Sequence, residues 1–337
     1  MSDGGMDTGG HVEYLCEAFF DFETISGSIF ILIFLFSVTG NTLLLCVLVF
    51  YEDLKNVTNI FILNLACSDL VFTVTLPFWA VYQMHHWIFG EIACKLLTAA
   101  YIVGLYSSTI LLTAMTVDRF ITVVLYSWPN NPAKRQMCAI AACVAAWVIS
   151  IAASVSDAIK VKVETQWDVS VCEDPSDGSD VNLGYYLQVS LLFFVPFVII
   201  VFCYAAILKT ALQTSNKKRR RTIMVVFCIV TAFFISWGPF NIVLLIQSLY
   251  EPVGCYAKET LYVAYSVCRI LAFSHCCMNP LLYMLSQKFR KHLLLLLRCK
   301  NFKRKNENRG TGQCTGANQN VAFCAQNSAV LLEAPAK

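Results

Sequence analysis

The sequence predicts an all-α membrane protein, a seven-transmembrane helix bundle with a short amphipathic cytoplasmic helix after the last span. Three observations predict it. Only 14% of the 337 residues are charged and 57% are hydrophobic, with a mean hydropathy of +0.61, whereas a soluble domain carries about 25% charged residues. Seven apolar stretches are long enough for a hydrocarbon core that needs about 20 residues per helix. Finally, the basic residues fall mostly on one side of those stretches.

Residues 1–26 read as an acidic N-terminal segment. Asp3, Asp7, Glu13, Glu17, Asp21 and Glu23 lie in it, without the basic start and apolar run of a cleavable signal. Span 1 (27–50) is therefore expected to direct insertion itself. Tyr14 sits between Glu13 and Glu17, a setting that suits sulfation; an unmodified surface tyrosine is the plain alternative. The remaining spans are expected at 60–83, 93–124, 137–158, 184–208, 222–248 and 260–285, giving a seven-transmembrane domain over 27–285. Residues 286–299 continue as a basic, amphipathic stretch suited to the inner membrane surface, with Cys299 as a palmitoylation candidate. Residues 300–337 have the composition of a disordered tail.

Orientation follows from Lys and Arg. One side of the bundle holds Lys95, Lys160, Lys162, Lys258 and Arg269; the other holds the remaining 20 of the 25 bases, among them Lys217, Lys218, Arg219, Arg220 and Arg221. The N-terminus is thus expected outside and the tail in the cytoplasm, at the plasma membrane. Sixteen acids stand against five bases on the outer side, a field that draws in basic partners. The sequon Asn56-Val57-Thr58 falls on the inner side, away from glycosylation.

Four of the 16 cysteines lie on the outer side: Cys16, Cys94, Cys172 and Cys255. Their even number in an oxidising compartment favours disulfides, in one of three pairings. Joining Cys94 to Cys172 would clamp the loop after span 4 over the bundle. That closure, about 78 residues long, is worth roughly 4–5 kcal/mol in the chain-entropy account. Cys16 with Cys255 would then tie the N-terminus to the last outer loop.

Several polar groups stand inside apolar spans, where they are costly and tend to mark function. Asp69 lies mid-span. Ser108 in span 3 and His275 and Asn279 in span 7 are its candidate partners, an oxygen-rich set suited to sodium; a water-bridged aspartate without an ion is the plain alternative. Asp118 and Arg119 end span 3, either neutralising each other or sending Arg119 to span 6 or to a partner inserted from below. Pro77, Pro196, Pro239 and Pro280 interrupt spans 2, 5, 6 and 7, which suggests helices able to pivot. Trp237, two residues before Pro239, is placed to sense a pocket above it, and Phe233, one turn below, to relay its movement.

With these residues assembled, the chain resembles the rhodopsin-like (class A) G-protein-coupled receptors over about 27–299. The anchors are Gly40-Asn41, Asp69, Cys94, Asp118-Arg119, Trp147, Cys172, Pro196, Tyr204, Trp237 with Pro239, and Asn279-Pro280-Leu281-Leu282-Tyr283. Within that class it is similar to the chemokine receptors, through Thr75-Leu76-Pro77-Phe78-Trp79, Trp87-Ile88-Phe89-Gly90, the second outer cysteine pair and the short basic third inner loop. The stretches 58–65, 236–239 and 268–277 resemble the lymphotactin (XC-type) branch of that family.

The resemblance implies two-step binding. The acidic outer face would capture a small basic chemokine, whose N-terminus would then enter a pocket near Trp79, Tyr101, Tyr106, Trp237, Tyr265 and Arg269. Each aromatic alone could equally be packing. Span 6 would swing outward, Arg119, Tyr204 and Tyr283 would rearrange, and a heterotrimeric G protein of the inhibitory class would insert a helix, driving chemotaxis and calcium signalling. Membrane lipids and arrestin complete the expected partners, although the tail offers few hydroxyls (Ser286, Thr311, Thr315, Ser328). No nucleic-acid partner is expected, and no cofactor beyond an allosteric sodium ion.

Three departures qualify this picture. Arg269 stands where most chemokine receptors place a glutamate, although the XC-type branch also has arginine; Asp157 or Glu173 is the expected acidic partner. Phe120 replaces the usual tyrosine after Asp-Arg, which motivates a second reading, a scavenger that binds chemokine without signalling. Span 4 lacks the proline of many relatives. An ion-conducting transporter or channel is the rival from another class, since Asp69 and His275 could carry ions, but the internal repeats of transporters are missing. An enzyme is not expected: there is no phosphate loop, metal-ligand spacing or nucleophile–base set.

Overall fold

A computed structural model describes residues 22–125, 132–166, 169–173, 193–212, 217–249, 253–284 and 289–296. It divides into a unit comprising 1–292 and a remainder, 293–337, of which only 293–296 are described, as the end of a helix. Cys16, Tyr14, Cys299 and the tail lie outside the described residues.

Span 1 is α1 (Phe22–Tyr51). Span 2 is two helices, α2 (Val57–Thr73) and α3 (Leu76–Met84), and span 3 is α4 (Gly90–Phe120), continued by a wider π turn over Ile121–Leu125. Span 4 is α5 (Pro132–Lys160), span 5 is α6 (Val195–Leu212) and span 6 is α7 (Lys217–Leu249). Span 7 is again two helices, α8 (Cys255–Phe273) and α9 (His275–Met284). Residues 289–296 form a last helix, α10. Six of the described spans are long and apolar enough to cross a membrane. The seventh, in α6, has a shorter described apolar run, Val195–Thr210, and the first residues of its expected range, 184–192, lie outside the description.

The break in span 2 follows from proline chemistry, whereas the break in span 7, at Ser274, lies six residues ahead of Pro280, which stands inside α9. Pro77 has no N–H to give, and just ahead of it the chain tightens. Thr75 donates through both its backbone N–H (3.1 Å) and its hydroxyl (2.7 Å) to the Phe72 carbonyl. Pro280 likewise leaves the carbonyl four residues back, that of Cys276, without its helical donor. Span 1 supplies the substitute: the Asn41 amide donates to it at 2.8 Å and the Ser37 hydroxyl at 3.3 Å. Gly40 makes room, since a Cβ there would sit 2.7 Å from Pro280 Cγ. The Gly40-Asn41 pair is thus the counterpart of Pro280. A second tight crossing lies between spans 2 and 3, where a Cβ on Gly104 would meet Phe72 at 2.7 Å. There the Ser68 hydroxyl donates to the Gly104 carbonyl at 2.8 Å.

Outside the main core a smaller cluster holds Trp87, Cys94, Val161 and Cys172. The Cys94–Cys172 disulfide is present, with Cα atoms 5.8 Å apart. It pins a hairpin where the sequence predicts only a long loop: β1 (Lys162–Gln166) pairs antiparallel with β2 (Val169–Glu173), Lys162 opposite Glu173. Trp87 anchors the hairpin, its backbone N–H donating to the Ser170 carbonyl at 2.8 Å and its indole N–H to the Gly90 carbonyl at 2.8 Å. Cys255 is disulfide-bonded.

Candidate functional site

The bundle carries three linked regions, an outer pocket, a polar centre and an inner end. The outer pocket is aromatic. Tyr101, Tyr106, Phe193, Phe233, Trp237 and Phe240 line its cavity, whereas the expected Trp79, Tyr265 and Arg269 stand outside that lining. From Arg269 the ring contacts run inward along two paths. One passes through Tyr265 (5.9 Å), Phe240 (5.6 Å) and Trp237 (5.8 Å); the other through Phe273 (5.4 Å) and Phe72 (5.2 Å). Both end at His275, which Trp237 meets at 5.2 Å and Phe72 at 4.8 Å. Trp237 also packs on Phe233 at 6.3 Å, the expected pair. Aromatic contacts of this kind add about 0.5–1.5 kcal/mol each beyond burial, so the paths are stiff as well as continuous. Trp79 stands on a side branch, 6.4 Å from Tyr101, and Tyr101 lies 5.7 Å from Phe273.

Arg269 corrects one expectation. Among the described residues no ion pair joins it to Asp157 or Glu173. Its guanidinium lies instead over the rings of Phe30, Phe273 and Tyr265, at 5.1, 5.4 and 5.9 Å. A cation over aromatic faces is held by their quadrupoles, which lets a charge stay in an apolar wall without a carboxylate.

At the polar centre Asp69 is fully buried. The Asn279 amide donates to its Oδ2 at 2.6 Å and the Ser108 hydroxyl to its Oδ1 at 3.3 Å. Ser68 ties in Ser107 and Ser108 at 2.5 and 2.8 Å. The sequence set Asp69–Ser108–Asn279 is therefore assembled. His275 is placed differently. It lies beyond ion-pair distance from Asp69, its Nδ1 donates to the Ala272 carbonyl at 2.7 Å, and its Nε2 is buried without a partner.

At the inner end Asp118 and Arg119 are only 3.6 Å apart, yet each has a better partner. Arg135 of span 4 grips Asp118 bidentately, at 2.9 Å from Nε and 2.7 Å from an Nη. Arg119 donates to the Thr58 hydroxyl of span 2, rather than to span 6. Among the described residues, Arg119 Nε, the Tyr204 hydroxyl and the Tyr283 hydroxyl are buried with no hydrogen-bond partner. Unsatisfied buried donors cost about 1–3 kcal/mol each, so this end holds unspent polar capacity. Phe120 packs on Phe202 of span 5 at 5.8 Å, using the ring where the tyrosine hydroxyl is missing. Arg135 and Thr58 escaped the sequence reading. Arg135 is one of many inner bases, and Thr58 stands out in the sequence only within a sequon and within the 58–65 stretch, neither of which marks it as a partner of Arg119.

A seven-helix bundle with a capped proline bend in span 7, a buried carboxylate in span 2 and an arginine at the inner end of span 3 defines a class of membrane receptor. The chain belongs to the rhodopsin family of seven-transmembrane receptors, whose family model, 7 transmembrane receptor (rhodopsin family), matches residues 40–283. Within that family it is similar to Chemokine XC receptor 1 of Homo sapiens, 42% identical over 288 residues, which cover 82% of this chain and 83% of that protein. Chemokine XC receptor 1 of Mus musculus is 39% identical over 275 residues, covering 81% and 83%. The chain is accordingly a chemokine-receptor-type G-protein-coupled receptor, a multi-pass plasma-membrane protein and not an enzyme.

Proposed function

We propose that this receptor binds a small basic chemokine of the lymphotactin type at its outer face and activates a heterotrimeric G protein of the inhibitory class, driving chemotaxis and calcium signalling. The observation that carries the reading is the continuous ring path from Arg269 through Trp237 to His275, set above an inner end with three buried groups awaiting partners. A ligand pressing on Tyr265 or Phe240 moves Trp237. Trp237 lies two residues before Pro239, where the helix is free to bend. A bend there opens the inner end, and Arg119, Tyr204 and Tyr283 find acceptors on the inserted partner. Ligand preference for one packing shifts the population toward it, which couples two distant sites.

Sodium fits the polar centre. Asp69 is buried with hydrogen-bond donors but has no counter-charge within 4.0 Å among the described residues, and Asp69 and Ser108 would supply hard oxygen ligands. The ion would neutralise the carboxylate and steady one packing. The acidic N-terminus, with Tyr14 as a sulfation site, would hold the ligand's basic body. The basic helix after span 7 and Cys299 would meet inner-leaflet lipid, and arrestin would compete for the inner end.

The test is nucleotide exchange in lipid nanodiscs carrying the purified receptor, with inhibitory-class or stimulatory-class G protein and labelled lymphotactin. Exchange stimulated on the inhibitory class alone is the expected result. Tight binding without exchange would move the assignment to a scavenger, and ligand-independent ion flux in liposomes would refute the receptor reading.

A further inference from the structure

Among the described residues, Arg269 is an arginine with a seat and no acceptor. Its guanidinium carries five N–H donors. The three rings beneath it stabilise its charge but accept no strong hydrogen bond. Among the described residues it makes neither a hydrogen bond to an acceptor nor an ion pair. Two described acids of this rim are placed elsewhere. Glu23 accepts from the Tyr262 hydroxyl at 3.4 Å, and Glu173 stands opposite Lys162 in the hairpin. A second donor lies on the same aromatic wall. Among the described residues, the Trp79 indole N–H is buried without a partner, two ring contacts from Phe273 by way of Tyr101.

Both open groups are donors only, and one is cationic. The complement of such a wall is an acceptor-only anion. A carboxylate matches best, because it takes two parallel N–H bonds from one guanidinium in a geometry that an ammonium or amide cannot offer. The rings also keep the guanidinium from swinging to the acidic exterior, so its strength is held for what enters.

We propose that Arg269 and Trp79 form an anion-accepting subsite, which takes a carboxylate carried by the segment of the chemokine that enters the outer pocket. This deepens the chemokine-receptor reading and rests on it. The partner is then split in charge. Its body is basic, matched to an outer side with sixteen acids against five bases, and its entering segment is acidic, matched to Arg269. A ligand with a basic entering segment is rejected by like charge, so the subsite sorts chemokines as well as binding them.

The probes are forms of one lymphotactin-type chemokine whose segment ahead of the first cysteine is replaced by Gly and Ser, with a single Glu, Gln or Lys placed at each position in turn. Each competes with labelled parent chemokine on the full-length receptor in membranes. At one position the Glu form is expected to bind about tenfold tighter than the Gln form, with the Lys form weakest. Arg269→Glu reverses that order and Arg269→Gln flattens it, with surface expression followed by antibody. Glu and Gln forms that compete equally at every position on the unaltered receptor would overturn the subsite while leaving chemokine binding in place. Failure of the parent chemokine to bind at all would overturn the underlying reading instead. The comparison of probes on the unaltered receptor requires no variant to fold.

Discussion

Two arginines, one near each end of the bundle, meet the same physical problem in opposite ways. Arg269 keeps its charge by lying over three rings and, among the described residues, meets no carboxylate. Arg119 has a carboxylate 3.6 Å away, but that carboxylate is gripped by Arg135, and Arg119 leans on a threonine hydroxyl. The outer arginine is fixed in place and chemically open. The inner one is lightly held, and its neighbour is occupied. A site that must recognise gains from a stiff cation, whereas a site that must switch gains from a cation with weak, exchangeable partners.

The comparison breaks most sharply at Arg119. Arg119→Leu is expected to lower chemokine-stimulated nucleotide exchange by about a hundredfold or more, a change of roughly 3 kcal/mol. Chemokine affinity should stay within about threefold of the parent, because Asp118 keeps Arg135. A parallel loss of binding in a radioligand assay would show that the two ends are not separable.

A smaller effect, of defined sign, is expected at Arg135. Arg135→Ala leaves Arg119 as the only ion partner of Asp118 among the described residues, so Arg119 is held more tightly. These groups are partly exposed, with side-chain accessibilities of 29% for Arg135 and 15% for Asp118, which limits the gain to about 1 kcal/mol. Basal exchange, measured without chemokine, should fall about fivefold, and Arg135→Lys should fall between. A rise would place Asp118 as a release element rather than a restraint.

The mildest change is Thr58→Val, which removes the hydroxyl that Arg119 uses. Basal exchange is expected to rise about twofold to threefold, opposite in sign to Arg135→Ala. Two changes of the same sign would show that Asp118 and Thr58 do not compete for Arg119.

The spans were legible because an apolar run of this length has one physical use. Partnering within and between them was legible only in part. Asp69, Ser108 and Asn279 were found together because a buried carboxylate demands donors, and few polar groups share its depth. Arg269 was recognised as costly, but its expected partner was an acid when the actual partners are rings. Composition favours that outcome, since the chain holds 24 Phe and 14 Tyr, and among the described outer acids Glu23 faces the Tyr262 hydroxyl and Glu91 faces Lys95. Asp118 pairs with a residue 17 positions on, across the inner loop, and nothing in the sequence ranks Arg135 above its basic neighbours. The hairpin at 162–173 was missed because its alternation is short and its pairing depends on the Cys94–Cys172 bond and on Trp87.

The carbonyl released by Pro280 and met by Asn41 and Ser37 makes spans 1 and 7 a single unit of inheritance. A chimera that imports span 7 from a receptor whose proline bend differs receives a vacancy or a clash at Gly40. Exchanging the two spans together avoids both, so domain-swap experiments on this receptor should cut the chain on the far sides of spans 1 and 7 and carry both across.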